Sequence, residues 1–187
     1  TRFLAAGGGS SEVLHSIVLR LLEAMIAAVR RRLVLVKMQG DALLFVSRSD
    51  GLCAADLTDV IHDIYAAFDH TLRDLRINGD FGPPIGLSLS ELDLKIIVHK
   101  GTATWFEFRN TIDVTGPDVV TIHRLAKNKL EKKRYIMITS SARANMIAPR
   151  DWEVEQHTMD IGELGSLDVA VFEIPKRRFL GGGSQRS

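Results

Sequence analysis

A lysine, a glycine and an aspartate lie close together in the segment KMQGD, as Lys37, Gly40 and Asp41. Largely apolar runs at 33–36 and 42–46 flank them, a pattern typical of two strands joined by a tight turn. An ammonium group on a strand can donate hydrogen bonds to a ligand, and a carboxylate at a hairpin tip can reach a divalent cation. Turn aspartates are commonly structural, so the local pattern leaves both interpretations open.

Two further charged residues belong to a later segment with helical periodicity. Asp113 stands before Gly116, and Arg124 follows that glycine by eight residues. A carboxylate accepts hydrogen bonds from a base, and a guanidinium binds phosphate oxygens in a bidentate manner. Without further information, the residue types favour a structural interpretation, in which Asp113 caps the helix entry and Lys37 is an exposed strand residue.

Other reactive residue types give weaker signals. His62 and His70 are two helical turns apart and His99 lies in a predicted strand, so no spacing indicates a zinc site. We interpret each histidine as a surface or satisfied core residue. Cys53 has no histidine nearby in sequence, which favours a packing role over a nucleophilic one.

Helices and hairpins alternate around these residues. Apolar spacing predicts a helix from Glu12 with Ser11 as its cap, the hairpin at Gly40, and a second helix from Leu57 to about Gly79. A strand follows at 92–98, with TATWFEF as its continuation or partner, and a third helix is predicted from Thr115 to about Asn128. The strand RYIMIT, a short helix SSARANMI and two strands around 160–165 complete the order. Such interleaving predicts an α+β fold with helices on one face of a sheet.

Composition narrows the class of protein. The net charge of +1 gives no whole-chain argument for a nucleic-acid partner, and no apolar run approaches the roughly 18 residues of a membrane span. The one cysteine excludes an intrachain disulfide and predicts an intracellular, cytoplasmic location. Gly/Ser-rich segments near both ends predict flexible termini at 1–11 and 176–187.

Four motifs, taken in order, resemble those of the class III nucleotidyl cyclases. KMQGDALLF is similar to their K-x-x-G-D hairpin, and LDLKIIVHKG to the following L-R-I-G-I-H-x-G strand. IDVTGPDVVTIHRLAKN is similar to their D-x-x-G-x-x-V-N-x-A-x-R helix, and YIMITSSA to the strand and serine turn after it. The GDA, VTGxDV and HRLxKN spellings most resemble a bacterial cyclase-homology family without an assigned function, of the DUF2652 type. The resemblance covers roughly residues 13–174.

The resemblance implies a role for each candidate residue. Asp41 matches the second of two aspartates that hold divalent metals, with Mg²⁺ or Mn²⁺ as the implied ion. Lys37 and Asp113 match the donor and acceptor that read adenine, and Arg124 matches the arginine that stabilises phosphate charge in the transition state. The family's site forms between two subunits, which implies a homodimer.

This chain also departs from the family pattern. Val120 stands where the family has the asparagine that orients the ribose, and residues 160–174 contain no lysine where one should hold the triphosphate. The first metal aspartate belongs to a motif whose tail is similar to Thr1-Arg2-Phe3, which implies that it lies upstream of Thr1. Each lost contact of this kind costs on the order of a few kcal/mol of transition-state stabilisation, so efficient turnover is not expected.

We therefore predict one α+β cyclase-homology domain over residues 12–175, with a ferredoxin-like antiparallel sheet and helices on one face. The predicted function is that of a degenerate cyclase-homology domain that binds ATP or another purine nucleotide, with Mg²⁺, without robust catalysis. Two alternatives stay open. One is an active adenylate cyclase that makes cyclic AMP and pyrophosphate in its full-length dimer, and the other is a dimerisation or interaction module that binds no nucleotide.

Overall fold

The computed structural model describes residues 8–47, 52–78, 89, 92–109, 111–148 and 152–174. Its helices and strands follow one another along the chain in this order: α1 (Gly8–Val29), β1 (Leu33–Gln39), β2 (Ala42–Ser47), α2 (Ala54–Asn78), β3 (Lys95–Val98), β4 (Thr104–Phe108), β5 (Thr111–Thr115), α3 (Pro117–Ala126), β6 (Tyr135–Thr139), α4 (Ser140–Arg143), β7 (Val154–Asp160) and β8 (Ser166–Glu173). The α+β class is confirmed. No helix in these ranges is long and apolar enough to cross a membrane.

The contacts divide the chain into two compact units. The first comprises residues 1–46, 60–93 and 176–187, and the second comprises residues 47–59 and 94–175. The first unit therefore holds α1, β1, most of β2 and most of α2. The second holds β3 to β8 with α3 and α4.

In the first unit, each long helix buries one stripe of apolar side chains. The stripe of α1 includes Leu14, Ile17, Leu21 and Met25, at the spacing that the sequence predicted. Helix α1 begins at Gly8, ahead of the predicted cap at Ser11, so the end of the segment predicted to be flexible is helical; residues 1–7 lie outside the described ranges. The predicted end of α2 near Asn78 is confirmed.

The second unit is built on a four-stranded sheet in the order β3-β6-β8-β7. Strands β3 and β6 are parallel, whereas β6 and β7 are both antiparallel to β8, so the sheet is mixed and the predicted all-antiparallel arrangement is wrong for the β3–β6 pair. Every residue of β6 is buried, because this central strand is covered on both faces. One apolar cluster on this sheet contains Tyr135, Met137, Val169 and Val171, together with Leu125 of α3.

A separate two-stranded sheet, the β4–β5 hairpin, is where the structure differs most from the sequence prediction. Strand β4 pairs antiparallel with β5, not with β3. Strand β5 was missed, because its residues were assigned to the loop and start of the third helix. That helix begins only at Pro117, since Gly116 adopts φ 142° and proline fixes the first helical position. The helix ends at Ala126, about two residues earlier than predicted.

Candidate functional site

Lys37 and Asp41 lie on the predicted hairpin of the first unit. Strands β1 and β2 pair with each other, and Gly40 and Asp41 form the two-residue turn between them. Gly40 has φ 64°, a left-handed conformation that glycine adopts without steric cost. Asp41 is exposed in this turn, and Lys37 is half-buried on β1. The local geometry that places a carboxylate at a hairpin tip is therefore present.

Asp113 lies in the second unit, in the middle of β5 and directly opposite Phe106 of β4. Its Oδ1 accepts a hydrogen bond of 2.8 Å from the N–H of Val114. The interpretation of Asp113 as a helix-entry cap is wrong, because the helix starts four residues later and the carboxylate binds the strand backbone instead. Its side chain is half-buried.

Arg124 occupies the last turn of α3. Asp113 lies on β5, which precedes the first turn of this helix. The Nη1 of Arg124 donates a hydrogen bond to the carbonyl oxygen of Ile161 and lies against Gly162. The 3₁₀ turn Gly162–Leu164 connects β7 to β8, so the guanidinium holds this connection. The seven steps from Pro117 to Arg124 rise ~10 Å along the helix axis. The structure thus places both residues in the second unit without gathering them at one end of α3.

The metal prediction rests on Asp41 alone within the described ranges. In those ranges, no three histidine, cysteine, aspartate or glutamate side chains are grouped so that they could hold an ion. The residues in view therefore do not form a metal centre held by protein ligands alone.

A hydrogen-bonded network centred on His99 was not predicted. His99 follows β3, and its side chain is only 8% exposed. Its Nε2 lies 2.9 Å from Oδ1 of Asp118 in the first turn of α3, and its Nδ1 lies 3.0 Å from Oγ1 of Thr139 at the end of β6. The Oγ of Ser141 lies 3.0 Å from that threonine oxygen. We call His99, Asp118, Thr139 and Ser141 the His99 network.

Backbone groups complete the His99 network. The N–H of Thr102 donates to Oδ2 of Asp118 at 2.8 Å, and the hydroxyl of Ser141 donates to the carbonyl oxygen of Lys100 at 2.7 Å. Gly101 lies between these two contacts, and a Cβ atom at this position would overlap the Asp118 carboxylate. The loop 99–102 is thereby fastened to both α3 and the end of β6.

The electrostatics of Asp118 follow from these contacts. The pKa of its carboxyl is lowered below the ordinary value, first by the hydrogen bond from His99 and then by the N–H of Thr102. Partial burial acts in the opposite direction but is smaller. The carboxylate is therefore held ionised where it faces His99. The hydroxyl of Ser141 donates its hydrogen bond to a main-chain carbonyl oxygen. We therefore interpret the His99 network as a structural contact and not as a reactive group.

The sequence contained one usable signal for this network. The segment HKGT follows a predicted strand, and Asp118 comes directly after Gly116 and Pro117, where a helix begins. Helix starts favour aspartate, and a glycine after a strand permits close approach of another group. The interpretation of His99 as a satisfied core residue is confirmed, but its partners could not be identified from spacing.

Comparison with known proteins places the chain in one family. The sequence profile of the family described as "Protein of unknown function (DUF2652)" matches residues 18–135, and the chain belongs to this family. All four predicted site residues, Lys37, Asp41, Asp113 and Arg124, lie inside the matched segment, whereas most of β6 and all of β7 and β8 lie beyond it. No curated protein matches the chain.

Proposed function

We propose that this protein is a degenerate class III nucleotidyl cyclase-homology domain, ferredoxin-like in fold, that binds a purine nucleotide without turning it over efficiently. One observation carries the loss of turnover: the guanidinium of Arg124 donates to the main chain at Ile161. This bond uses one of the five N–H donors of the guanidinium and fixes the group at the connection between β7 and β8, so we expect the group to be less available to stabilise charge on a phosphate. The motif order and the parallel pair β3 and β6 around α3 support the fold relationship.

Nucleotide binding is supported by the residue types at two matched positions. Lys37 supplies a donor, and Asp113 supplies an acceptor whose orientation is fixed by the N–H of Val114. Each residue type by itself favours adenine over guanine: adenine accepts a hydrogen bond at N1 where guanine donates one, and adenine donates from its 6-amino group where guanine has a carbonyl oxygen. The proposed ligand is therefore ATP or a related adenine nucleotide.

The proposal includes Mg²⁺ only as a companion of the nucleotide. Magnesium is commonly bound by one or two carboxylates together with substrate phosphates and water. Asp41, exposed at its hairpin tip, is the residue that would contribute such a carboxylate. Since the described residues do not form a metal centre by themselves, no chemical step is assigned to a metal here.

Calorimetry on the full chain tests nucleotide binding. ATP is titrated in the presence and absence of Mg²⁺, with GTP as the specificity control. We expect ATP to bind more tightly than GTP, and Asp113→Asn to weaken ATP binding by about 10-fold, because one hydrogen bond to a ligand contributes on the order of 1–2 kcal/mol. Glu107→Gln is the matched control, since Glu107 lies on the opposite face of the same hairpin. Absence of heat from the wild-type chain would refute nucleotide binding.

A product assay separates the degenerate domain from an active adenylate cyclase. We expect no cyclic AMP above background from ATP with Mg²⁺ or Mn²⁺ at high protein concentration. Cyclic AMP formation that disappears in Asp41→Ala would overturn the proposal in favour of the active enzyme. A flat assay with measurable ATP binding supports the degenerate domain.

Homodimerisation is a second proposed function, favoured by the exposed apolar residues of the β4–β5 hairpin. Trp105 is paired with Val114, and Glu107 is paired with Ile112. Directly paired residues and residues two apart on a strand share a face, so Trp105 and Ile112 lie on one face of this hairpin. Both side chains are exposed. A two-stranded sheet by itself is only marginally stable in water, so a contact that covers these apolar side chains would stabilise the hairpin. A second copy of the chain that packs on this face would cover them.

Sedimentation velocity tests the dimer. We expect a concentration-dependent dimer that the double substitution Trp105→Ser and Ile112→Ser dissociates while the fold is retained. Leu164→Ser, which removes an exposed leucine from the turn between β7 and β8, is the control. A wild-type chain that stays monomeric at high concentration would rule out this function.

A further inference from the structure

The β4–β5 hairpin presents an aromatic ring and a carboxylate side by side. Phe106 and Asp113 are direct cross-strand partners, so both side chains leave the same face of the hairpin. Directly paired residues in an antiparallel ribbon have Cβ atoms ~5 Å apart. The next pair on this face is Phe108 with Thr111. The face therefore offers a flat apolar surface beside a hydrogen-bond acceptor.

Phe106 differs from Phe108 in the contacts that its ring makes. The ring of Phe108 is 64% exposed and has the guanidinium of Arg109 over one face, with Cζ 5.3 Å from the ring centroid. Among the described residues, no aromatic ring or cation lies over the ring of Phe106, which is 43% exposed. Phe106 is one of four exposed large apolar residues on this hairpin, with Trp105, Phe108 and Ile112, and grouped exposed apolar residues commonly mark binding sites.

A purine base meets both parts of this face. Its ring system stacks on an aromatic side chain irrespective of sequence or sugar, and stacking contributes substantially to binding. A base stacked on Phe106 would present its edge toward the neighbouring strand, where Asp113 lies. Asp113 is already oriented by the N–H of Val114, so its carboxylate has a fixed direction in which to accept an amino group.

We propose that Phe106 is the stacking platform for the purine base whose exocyclic amino group is accepted by Asp113. This inference rests on the proposed nucleotide binding and adds to it a residue that the motif resemblance does not supply. Phe106 binds the base alone, and the phosphates contact other groups. The interaction is confined to the second unit of the chain.

Binding measurements on matched variants test the platform. ATP is titrated into the full chain, Phe106→Ala and Phe108→Ala, with inorganic triphosphate as a ligand that lacks a base. We expect Phe106→Ala to weaken ATP binding by about 10-fold or more and to leave any triphosphate binding unchanged. Phe108→Ala should change ATP binding less than 3-fold. Phe106→Trp should restore the affinity, since a larger ring stacks at least as well.

The outcomes separate this inference from the proposed function. If the wild-type chain binds ATP but Phe106→Ala binds it equally well, the platform is refuted and nucleotide binding stands. If the wild-type chain binds no ATP, both are refuted. If Phe106→Ala dissociates a dimer in sedimentation without affecting ATP affinity, the ring belongs to a contact between copies and the platform is again refuted. Circular dichroism of each variant confirms that the fold is retained.

Discussion

The His99 network and the β4–β5 hairpin belong to the same unit but use polar and apolar groups in opposite ways. In the network, a nearly buried imidazole is held by a carboxylate and a hydroxyl, and main-chain groups bind the remaining oxygens. On the hairpin, large apolar side chains of β4 and β5 are exposed to solvent, and the carboxylate of Asp113 stands beside one of them. The polar groups of the His99 network find hydrogen-bond partners within the chain. The hairpin has the exposed apolar side chains that are typical of a binding surface.

The two regions differ in what they offer to a ligand or a partner. A network whose groups bind one another gains stability from each bond and has fewer groups to offer a ligand. An exposed apolar surface costs solvation free energy until it is covered, so it persists where a ligand or partner covers it. We expect a substitution in the His99 network to change the free energy of unfolding, and a substitution on the hairpin to change only binding.

The largest effect is expected for Asp118→Ala. This change leaves His99 nearly buried without its carboxylate and frees the N–H of Thr102. The charge-assisted bond to the nearly buried His99 is lost, and because the Asp118 side chain is 36% exposed, solvent screening limits the expected cost to about 2 kcal/mol, measured as the change in the free energy of unfolding in urea. Asp59→Ala, at an exposed position on α2, is the control and should cost less than about 0.5 kcal/mol. Equal losses from the two variants would contradict the assigned role of the network.

The pH dependence of the stability lost in Asp118→Asn gives a second test. Because the pKa of Asp118 is lowered in the folded protein, its contribution to stability is fully present above the ordinary carboxyl pKa of 3.8 and is lost as pH falls through the lower folded value. The gap in unfolding free energy between wild type and Asp118→Asn should therefore be constant at neutral pH and shrink below about pH 4. A gap that grows on acidification would show that the carboxylate is not stabilised by His99.

Arg124→Ala is expected to have an intermediate effect. The variant loses the hydrogen bond to the carbonyl of Ile161, and a charged donor of this kind contributes about 1–2 kcal/mol to stability. Its ATP affinity should stay within 3-fold of wild type in calorimetry. The opposite pattern, weaker binding of ATP with unchanged stability, would show that Arg124 binds the phosphates and would favour the active adenylate cyclase.

The smallest effect on stability is expected on the hairpin. Phe106→Ala and Ile112→Ser remove exposed apolar groups, so each should change the free energy of unfolding by less than about 0.5 kcal/mol. Thermal unfolding at low protein concentration, where no partner copy contributes, measures this. A loss of 2 kcal/mol or more would show that these side chains pack inside the protein and would remove the basis for treating the hairpin as a binding surface.

Much of the secondary structure was predictable because its signal is local. The apolar spacing of α1 and α2, the turn at Gly40, and the strands around residues 160–165 follow from periodicity and turn chemistry. Strand β5 was missed for an equally physical reason. Its residues alternate weakly and adjoin a helical pattern, so only the pairing with β4 identifies them as a strand.

The site was predictable only as residue types. Motif order indicated Lys37, Asp41, Asp113 and Arg124, and the family match covers all of them. The contacts of these residues did not follow from the motifs. The bond from Arg124 to Ile161 joins residues 37 positions apart, and that between His99 and Asp118 joins residues 19 apart. Neither separation is a period of a helix or a strand.

The sequence by itself determined the α+β class, the long helices and the hairpin that carries Lys37 and Asp41, because propensity, periodicity and turn geometry act over a few neighbouring residues. Only the tertiary structure decided that Arg124 binds a carbonyl, that His99 and Asp118 fasten a loop, and that Phe106 stands beside Asp113. Those contacts depend on which distant segments meet, and this is set by strand pairing and core packing, which no short motif encodes.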